Sequence, residues 1–134
     1  MAVLAAGTLA IVSDDDVVRA RQRSRQRAIE IGLGLVDQTK LVTAASELAR
    51  NTLVHGGGGT MTLEVVGDNG RRGLRLTFAD TGPGIPDLDA ALRPGFTTGN
   101  GLGLGLSGSR KLVDQFSIQS EVGKGTQVVV VKWT

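Results

Sequence analysis

Several stretches of this sequence combine residue types and spacings that could do chemistry. Glu47 and Asn51 stand four apart in a run with helical periodicity, and His55 follows one step further. Residues four apart on a helix share a face, with Cβ atoms about 5–6 Å apart. A carboxylate and a carboxamide so placed could supply a base and an oxygen ligand for Mg²⁺, which takes hard oxygen donors and keeps several waters. A solvated helix face accounts for the same pair, and the pattern alone leaves both readings open.

Asp80-Thr81-Gly82-Pro83-Gly84-Ile85 follows directly on the strand-like run Leu76-Thr77-Phe78-Ala79. A carboxylate at a strand end, with glycines that let backbone come close to a ligand, could read a base. An ionised Asp only accepts hydrogen bonds, so it would select the amino group of adenine over the carbonyl of guanine. A plain Gly-Pro-Gly turn is the other reading. Gly101-Leu102-Gly103-Leu104-Gly105-Leu106 precedes a helical stretch, where small residues and a helix N-terminus would turn main-chain N–H groups toward phosphate. It lacks the Gly-Lys-Ser/Thr of a Walker A loop, and no βαβ unit surrounds it as a dinucleotide fingerprint requires.

The elements that must position these residues follow from periodicity and punctuation. The chain has 134 residues, enough for one domain with its own core. It has no Cys, three Phe, one Trp and no Tyr, so the core is aliphatic and no aromatic ladder exists for stacking nucleic acid. A net charge of +2 does not point to a nucleic-acid partner. The apolar start, 1–12, lacks the basic leader and cleavage site of a signal peptide and reads as a first strand. No stretch reaches the roughly 20 apolar residues of a membrane span. Helices are expected over 15–31, capped by Ser13 or Asp14 and ended by Gly32 and Gly34, and over 36–54, with Leu41, Ala45, Leu48 and Thr52 on one face. Strands at 60–66 and 73–78 read as a hairpin with a loop of several residues, Gly67 to Gly70. A short helix near 87–92, a third long helix over 104–115 and two closing strands, 116–121 and 126–133, complete the chain. The order β-α-α-β-β-α-β-β predicts an α+β sandwich, a mostly antiparallel sheet with helices on one face.

Together the motifs are far more specific than singly. Glu47-x-x-x-Asn51, Asp80-x-Gly82-x-Gly84, Gly101-x-Gly103-x-Gly105 and Gly123-x-Gly125-Thr126 occur in an order and spacing that resembles the N, G1, G2 and G3 boxes of the GHKL ATPases, the group of gyrase, Hsp90, histidine kinases and MutL. This resemblance covers 36–127, about two thirds of the chain. It implies the two-layer α/β sandwich called the Bergerat ATP-binding fold. Neither a transducer domain nor a phosphoacceptor helix accompanies it, so the whole of 1–134 is expected to be a single ATP-binding domain. His55 is expected to be a local structural residue. Such a free-standing unit is similar to the bacterial anti-sigma and switch-kinase group. Ser46-Glu47-Leu48-Ala49-Arg50-Asn51, Asp80 through Asp87, Gly95-Phe96-Thr97-Thr98 and Lys132-Trp133 lean toward the stressosome switch kinases. Pro83, between the two glycines of its box, leans the same way.

The resemblance implies an ATP-dependent protein serine/threonine kinase of a stress-signalling partner-switching pathway. It would phosphorylate STAS-domain antagonist or scaffold proteins and activate a PP2C-type phosphatase. An anti-sigma factor or a non-catalytic nucleotide-dependent regulator is the alternative. Nucleic acid and membrane are not implied as partners, and a cytoplasmic location is expected. Asp80 would hold adenine, with Gly82, Gly84, Ile85 and Thr126 around it. Asn51 would bind Mg²⁺. Thr98 and the backbone of Gly101, Leu102, Gly103, Leu104 and Gly105 would surround the phosphates of ATP or ADP. Glu47 would be the catalytic base, and 93–100 would form a short lid. Arg19, Arg21, Arg23, Arg25 and Arg27 spread around the first helix, as a docking face for an acidic partner or simply as a solvated basic surface.

Overall fold

The computed structural model describes residues 1–94 and 105–134. Its centre is a five-stranded, fully antiparallel sheet in the order β1-β2-β3-β5-β4. The strands are β1 (Ala2–Ile11), β2 (Gly59–Asp68), β3 (Arg71–Asp80), β4 (Gln115–Glu121) and β5 (Gly125–Trp133). Two long helices, α1 (Asp14–Ile31) and α2 (Leu35–Val54), pack on one face, with short helices α3 (Leu88–Ala91) and α4 (Leu106–Lys111) toward one end. This is the expected α+β arrangement.

Alternation decides which side of each strand is buried. Met61, Leu63 and Val65 of β2, Leu74, Leu76 and Phe78 of β3, and Val128 and Val130 of β5 point at the helices. Helix α2 answers with Leu41, Ala45, Leu48 and Thr52, the face expected from sequence, joined by Ala44 and Ala49. Helix α1 presents Val17, Ala20, Ser24 and Ala28. The small residues on both helices let them sit close together. Each fully buried Leu or Phe in this layer contributes about 1.5–3 kcal/mol. On the opposite side of the sheet, Trp133 lies across Gly73 beside Val66 and Val131, and the Arg71 guanidinium sits 4.6 Å from its ring centre.

Local chemistry sets the element ends. Ser13 caps α1 by accepting from the Asp16 N–H at 3.3 Å. The β2–β3 connection is tighter than expected. Asn69 and Gly70 have φ of 51° and 80°, so two residues close the hairpin and pairing runs up to Asp68 and Arg71. Positive φ at both central positions matches the twist of the flanking strands. The third long helix is also shorter than expected, Leu106–Lys111 rather than 104–115. Asp114 donates its N–H to the Val131 carbonyl at 2.9 Å and accepts the Trp133 N–H at 2.7 Å, which draws the chain into β4 where helix was expected.

Candidate functional site

One row of residues crosses the end of the sheet. Ile11 pairs with Gly59, Gly59 with Asp80, Asp80 with Thr126, and Thr126 with Ser120. Side chains opposite one another on neighbouring strands share a face, so the register brings Asp80, Thr126 and Ser120 to the same lip of the helix-covered side. There they border a small cleft of about 50 Å³. Leu48, Phe78, Leu106 and Val128 form its apolar part, while Asn51, Thr52, His55, Gly56, Asp80, Gly84, Ile85 and Thr126 complete its wall.

Asp80 is held from several sides. Its Oδ1 accepts the Gly82 N–H at 3.0 Å and the Thr126 N–H at 3.3 Å. Gly56 lies against the same side chain so closely that a Cβ there would meet Asp80 Cγ, and would stand 2.6 Å from Oδ2. Gly56 is set by the end of α2, where the Asn51 carbonyl accepts the N–H of both His55 and Gly56 at 3.0 Å. His55 is the C-cap residue of α2 and lines the cleft. Gly84 turns the chain with φ of 77°, its Cα side closed by the Glu121 carbonyl. Ile85 then donates its N–H to Ser120 Oγ at 2.8 Å, and Ser120 Oγ lies 2.7 Å from Thr126 Oγ1.

Asn51 faces the cleft, whereas Glu47, one turn earlier on α2, is exposed at its border. A Cβ on Gly105 would lie 2.5 Å from Glu47 Oε2, so the carboxylate sits directly beside the start of α4. The structure thus gathers Glu47, Asn51, Asp80, Gly82, Gly84, Ile85, Gly105 and Thr126 at one end of the fold. Thr98, Gly101, Leu102, Gly103 and Leu104 lie outside the described residues, as does the expected lid beyond Pro94. Among the described residues, no cluster of three or more His, Asp or Glu side chains could hold a metal without other donors. Among them also, no helix is long and apolar enough to cross a membrane.

Beyond the apolar lining, and beyond Thr52 and His55, two contributors that hold the site's polar wall, Ser120 and Gly56, were not found in the sequence. Ser120 sits on the inward-facing side of β4 with Phe116 and Ile118, and a hydroxyl interrupting that alternation was the available signal. In the sequence Gly56 shows only as the first of four consecutive glycines after the second helix. Its packing against Asp80 depends on the β2–β3 register, which local pattern does not carry.

The comparisons with known proteins bear on the family and the fold. Residues 36–133 match the family described as histidine kinase-, DNA gyrase B-, and HSP90-like ATPase. The serine/threonine-protein kinase RsbT of Bacillus subtilis is 46% identical over 123 residues, spanning 92% of each chain. An anti-sigma F factor of Geobacillus stearothermophilus is 35% identical over 101 residues, 70% of this chain and 68% of that one. The RsbU and RsbW domains of Rv1364c from Mycobacterium tuberculosis superpose with a TM-score of 0.62 at 20% identity, over 96% of this chain and 31% of that one. The catalytic domain of histidine kinase ThkA gives a TM-score of 0.55 at 16% identity, over 96% and 95%; these two likenesses speak to the fold. With the family matched over most of its length, and a named kinase at 46% identity, the chain belongs to the histidine kinase-, DNA gyrase B- and HSP90-like ATPases, in their protein serine/threonine kinase branch.

Proposed function

We propose that residues 1–134 act as one ATP-binding unit that transfers the γ-phosphoryl group of ATP to a Ser or Thr hydroxyl on a STAS-domain protein of a partner-switching pathway. The observation that carries this reading is the juxtaposition of an acceptor-only carboxylate, Asp80, in the cleft wall with Asn51 in the cleft and Glu47 at its border. Asp80 accepts the adenine amino group while its other oxygen stays anchored by the Gly82 and Thr126 N–H groups. Leu48, Phe78, Leu106 and Val128 offer the apolar surface a purine ring needs.

The donor chemistry of the cleft suits magnesium. Asn51 offers an amide oxygen, and a hard divalent cation takes one or two protein oxygens alongside phosphate and water. When bound, Mg²⁺ would neutralise phosphate charge. Glu47 would accept the proton of the incoming hydroxyl as its oxygen bonds to the γ-phosphorus and ADP departs. The protein's share is positioning and electrostatics, as in phosphoryl transfer generally. ATP as substrate favours a cytoplasmic location.

A second reading is favoured by the likeness to the anti-sigma F factors. Here the nucleotide site governs partner exchange, by holding a sigma factor or by activating a PP2C-type phosphatase. One experiment addresses both. The purified chain is incubated with γ-labelled ATP and STAS-domain proteins from the same source. Label on a Ser or Thr of one of them supports the kinase reading. ATP-dependent complex formation without label supports the second.

A further inference from the structure

Among the described residues, Lys132 is the only buried Lys or Arg. It stands on the helix-facing side of β5, two residues beyond the core residue Val130. Its ammonium lies 3.4 Å from Asp37 Oδ1 and 3.5 Å from Asp114 Oδ1. Asp37 belongs to the first turn of α2, and Asp114 lies between α4 and β4. Asp114 is itself fixed on β5, donating its N–H to the Val131 carbonyl and accepting the Trp133 N–H on its other carboxylate oxygen. One buried cation thus joins the start of α2, the α4–β4 junction and the end of β5. Burying an ammonium is costly, and such a pair adds little stability over an apolar side chain of similar size. The Lys132 side chain is 9% exposed, against 43% and 41% for its two partners, so water reaches both carboxylates without it. What the ammonium supplies is a fixed separation between elements.

The elements so joined are the ones that meet at the border of the cleft. Helix α2 carries Glu47 ten residues after Asp37, about 15 Å along a stiff rod. Helix α4 starts after Gly105, where a Cβ would lie 2.5 Å from Glu47 Oε2, and its Leu106 lines the cleft. Little else that has direction holds α4 in place. Its buried residues are Leu106 and Ser109, and Ser109 Oγ has no hydrogen-bond partner among the described residues. Apolar contact is non-directional and lets a helix of six residues slide; the bonds at Asp114 do not. From this we infer that Lys132 is a positioning residue for phosphoryl transfer. It braces α2 against the α4–β4 junction, so that the start of α4 keeps its place beside Glu47. Lys132 is six residues from Thr126 along β5, about 20 Å of extended chain, so it acts through these elements and not on the nucleotide. The inference rests on the kinase reading for the reaction it serves, while the brace itself rests on the geometry.

The test compares Lys132→Met, which keeps the length of the side chain and removes its charge, with Lys132→Arg, which keeps the charge on a fork suited to carboxylates. Lys40→Met, at an exposed position of α2, controls for net charge. Each variant is assayed for melting temperature, ATP affinity and steady-state labelling of a STAS-domain protein that the wild-type chain phosphorylates. Lys132→Met should melt within a few degrees of wild type and bind ATP within about twofold, because the lost pairs are remote from the nucleotide. Its kcat should fall about tenfold or more at unchanged KM for the protein substrate, since a misplacement of about 1 Å from a remote change is enough to slow the reaction. Lys132→Arg should recover most of kcat, and Lys40→Met should match wild type. Adding Asp37→Asn to Lys132→Met should lower kcat no further, as both break one link. A wild-type kcat in Lys132→Met, or a loss that follows melting and is not rescued by Arg, would overturn the inference. Should Lys132→Met fail to fold, Asp37→Asn alone carries the same test at a half-exposed site. If wild type labels no STAS-domain protein, the kinase reading fails and the brace is judged by itself. In the isotope-labelled chain, the amide resonances of Gly105 and Leu106 should then move in Lys132→Met and stay in place in Lys40→Met. Unmoved resonances in Lys132→Met overturn the brace as well.

Discussion

Gly56 has no room for a side chain because the carboxylate of Asp80 occupies the place where its Cβ would be. The contact joins the end of α2 to the end of β3, the two elements that carry Asn51 and Asp80. A methyl at Gly56 must push the carboxylate aside or move the turn. Gly56→Ala is therefore expected to weaken ATP binding by at least about tenfold, since a displaced acceptor loses its charge-assisted hydrogen bond. Gly56 and Asp80 are both only half-buried, so the far-ultraviolet circular dichroism should remain that of wild type. Isothermal titration alongside the spectrum checks both halves; wild-type affinity would mean that the carboxylate does not hold the base.

Nucleotide choice tests Asp80 directly. Mg-ATP and Mg-ADP should bind far better than GTP, whose base offers a carbonyl where adenine offers an amino group. Asp80→Asn can still accept through its amide oxygen but loses the charge. It should cost about 1.5–3 kcal/mol, the worth of a hydrogen bond to a charged group, and narrow the ATP-to-GTP ratio. Equal affinity of the wild-type chain for ATP and GTP would sink the assignment.

What the sequence showed of this site was the local part. Glu47 and Asn51 were legible because helical spacing alone puts them on one face, and Asp80 because it ends a strand before a Gly-rich turn. The tight Asn69-Gly70 hairpin was within reach, but a strand pair that extends to Asp68 and Arg71 contains charged, exposed residues that weaken the pattern at its tip. Ser120 and Gly56 were beyond reach for a different reason. Ser120 meets Ile85, 35 residues away, and Gly56 meets Asp80 only through pairing of β2 with β3. Likewise nothing local could say that Gly105 abuts Glu47, or that Arg21 and Arg25 face α2 while Arg19 and Arg27 pair within α1.

Ser120 gives a prediction that separates positioning from chemistry. Its hydroxyl accepts the Ile85 N–H and touches Thr126 Oγ1, so it fixes two walls of the cleft at once. Ser120→Ala leaves the Ile85 N–H without that partner. A lost hydrogen bond of about 1 kcal/mol corresponds to a rise of about fivefold in Kd for ATP. The turnover rate at saturating ATP should not change. A drop in kcat at unchanged Kd would place Ser120 in the reaction rather than in the wall.

Asp16 offers a test of stability that leaves the cleft alone. The Val12 N–H, donated to its carboxylate at 3.0 Å, is the chief cause holding its pKa below the ordinary value, and Ser13 and Arg19 add to it against the opposing effect of burial. A carboxylate with a lowered folded-state pKa stabilises the fold above its unfolded pKa and loses that contribution as pH falls through the folded value. Asp16→Asn should melt several degrees below wild type near neutral pH. The gap should close as the pH drops below about 4. A gap that stays constant down to about pH 2 would mean that charge on Asp16 is not the cause.

The sharpest division of labour is between Glu47 and Asn51, one helical turn apart on α2. Asn51 faces the cleft, while Glu47 stands exposed beside Gly105 where an incoming hydroxyl could reach it. Glu47→Gln preserves shape and hydrogen bonding but removes the base. Phosphoryl transfer should fall about 10²–10⁴-fold, the usual worth of general base catalysis. ATP affinity should barely change, because no nucleotide contact is assigned to that carboxylate. Asn51→Ala removes an oxygen from the cleft itself, so Mg-dependent nucleotide binding and transfer should fall together. Measuring ATP binding with and without Mg²⁺ beside single-turnover transfer distinguishes the two residues. Wild-type transfer by Glu47→Gln would exclude Glu47 as base and leave proton removal to solvent or to the substrate's own phosphate. Mg-independent loss of binding in Asn51→Ala would instead assign Asn51 to the nucleotide or the fold rather than to the metal.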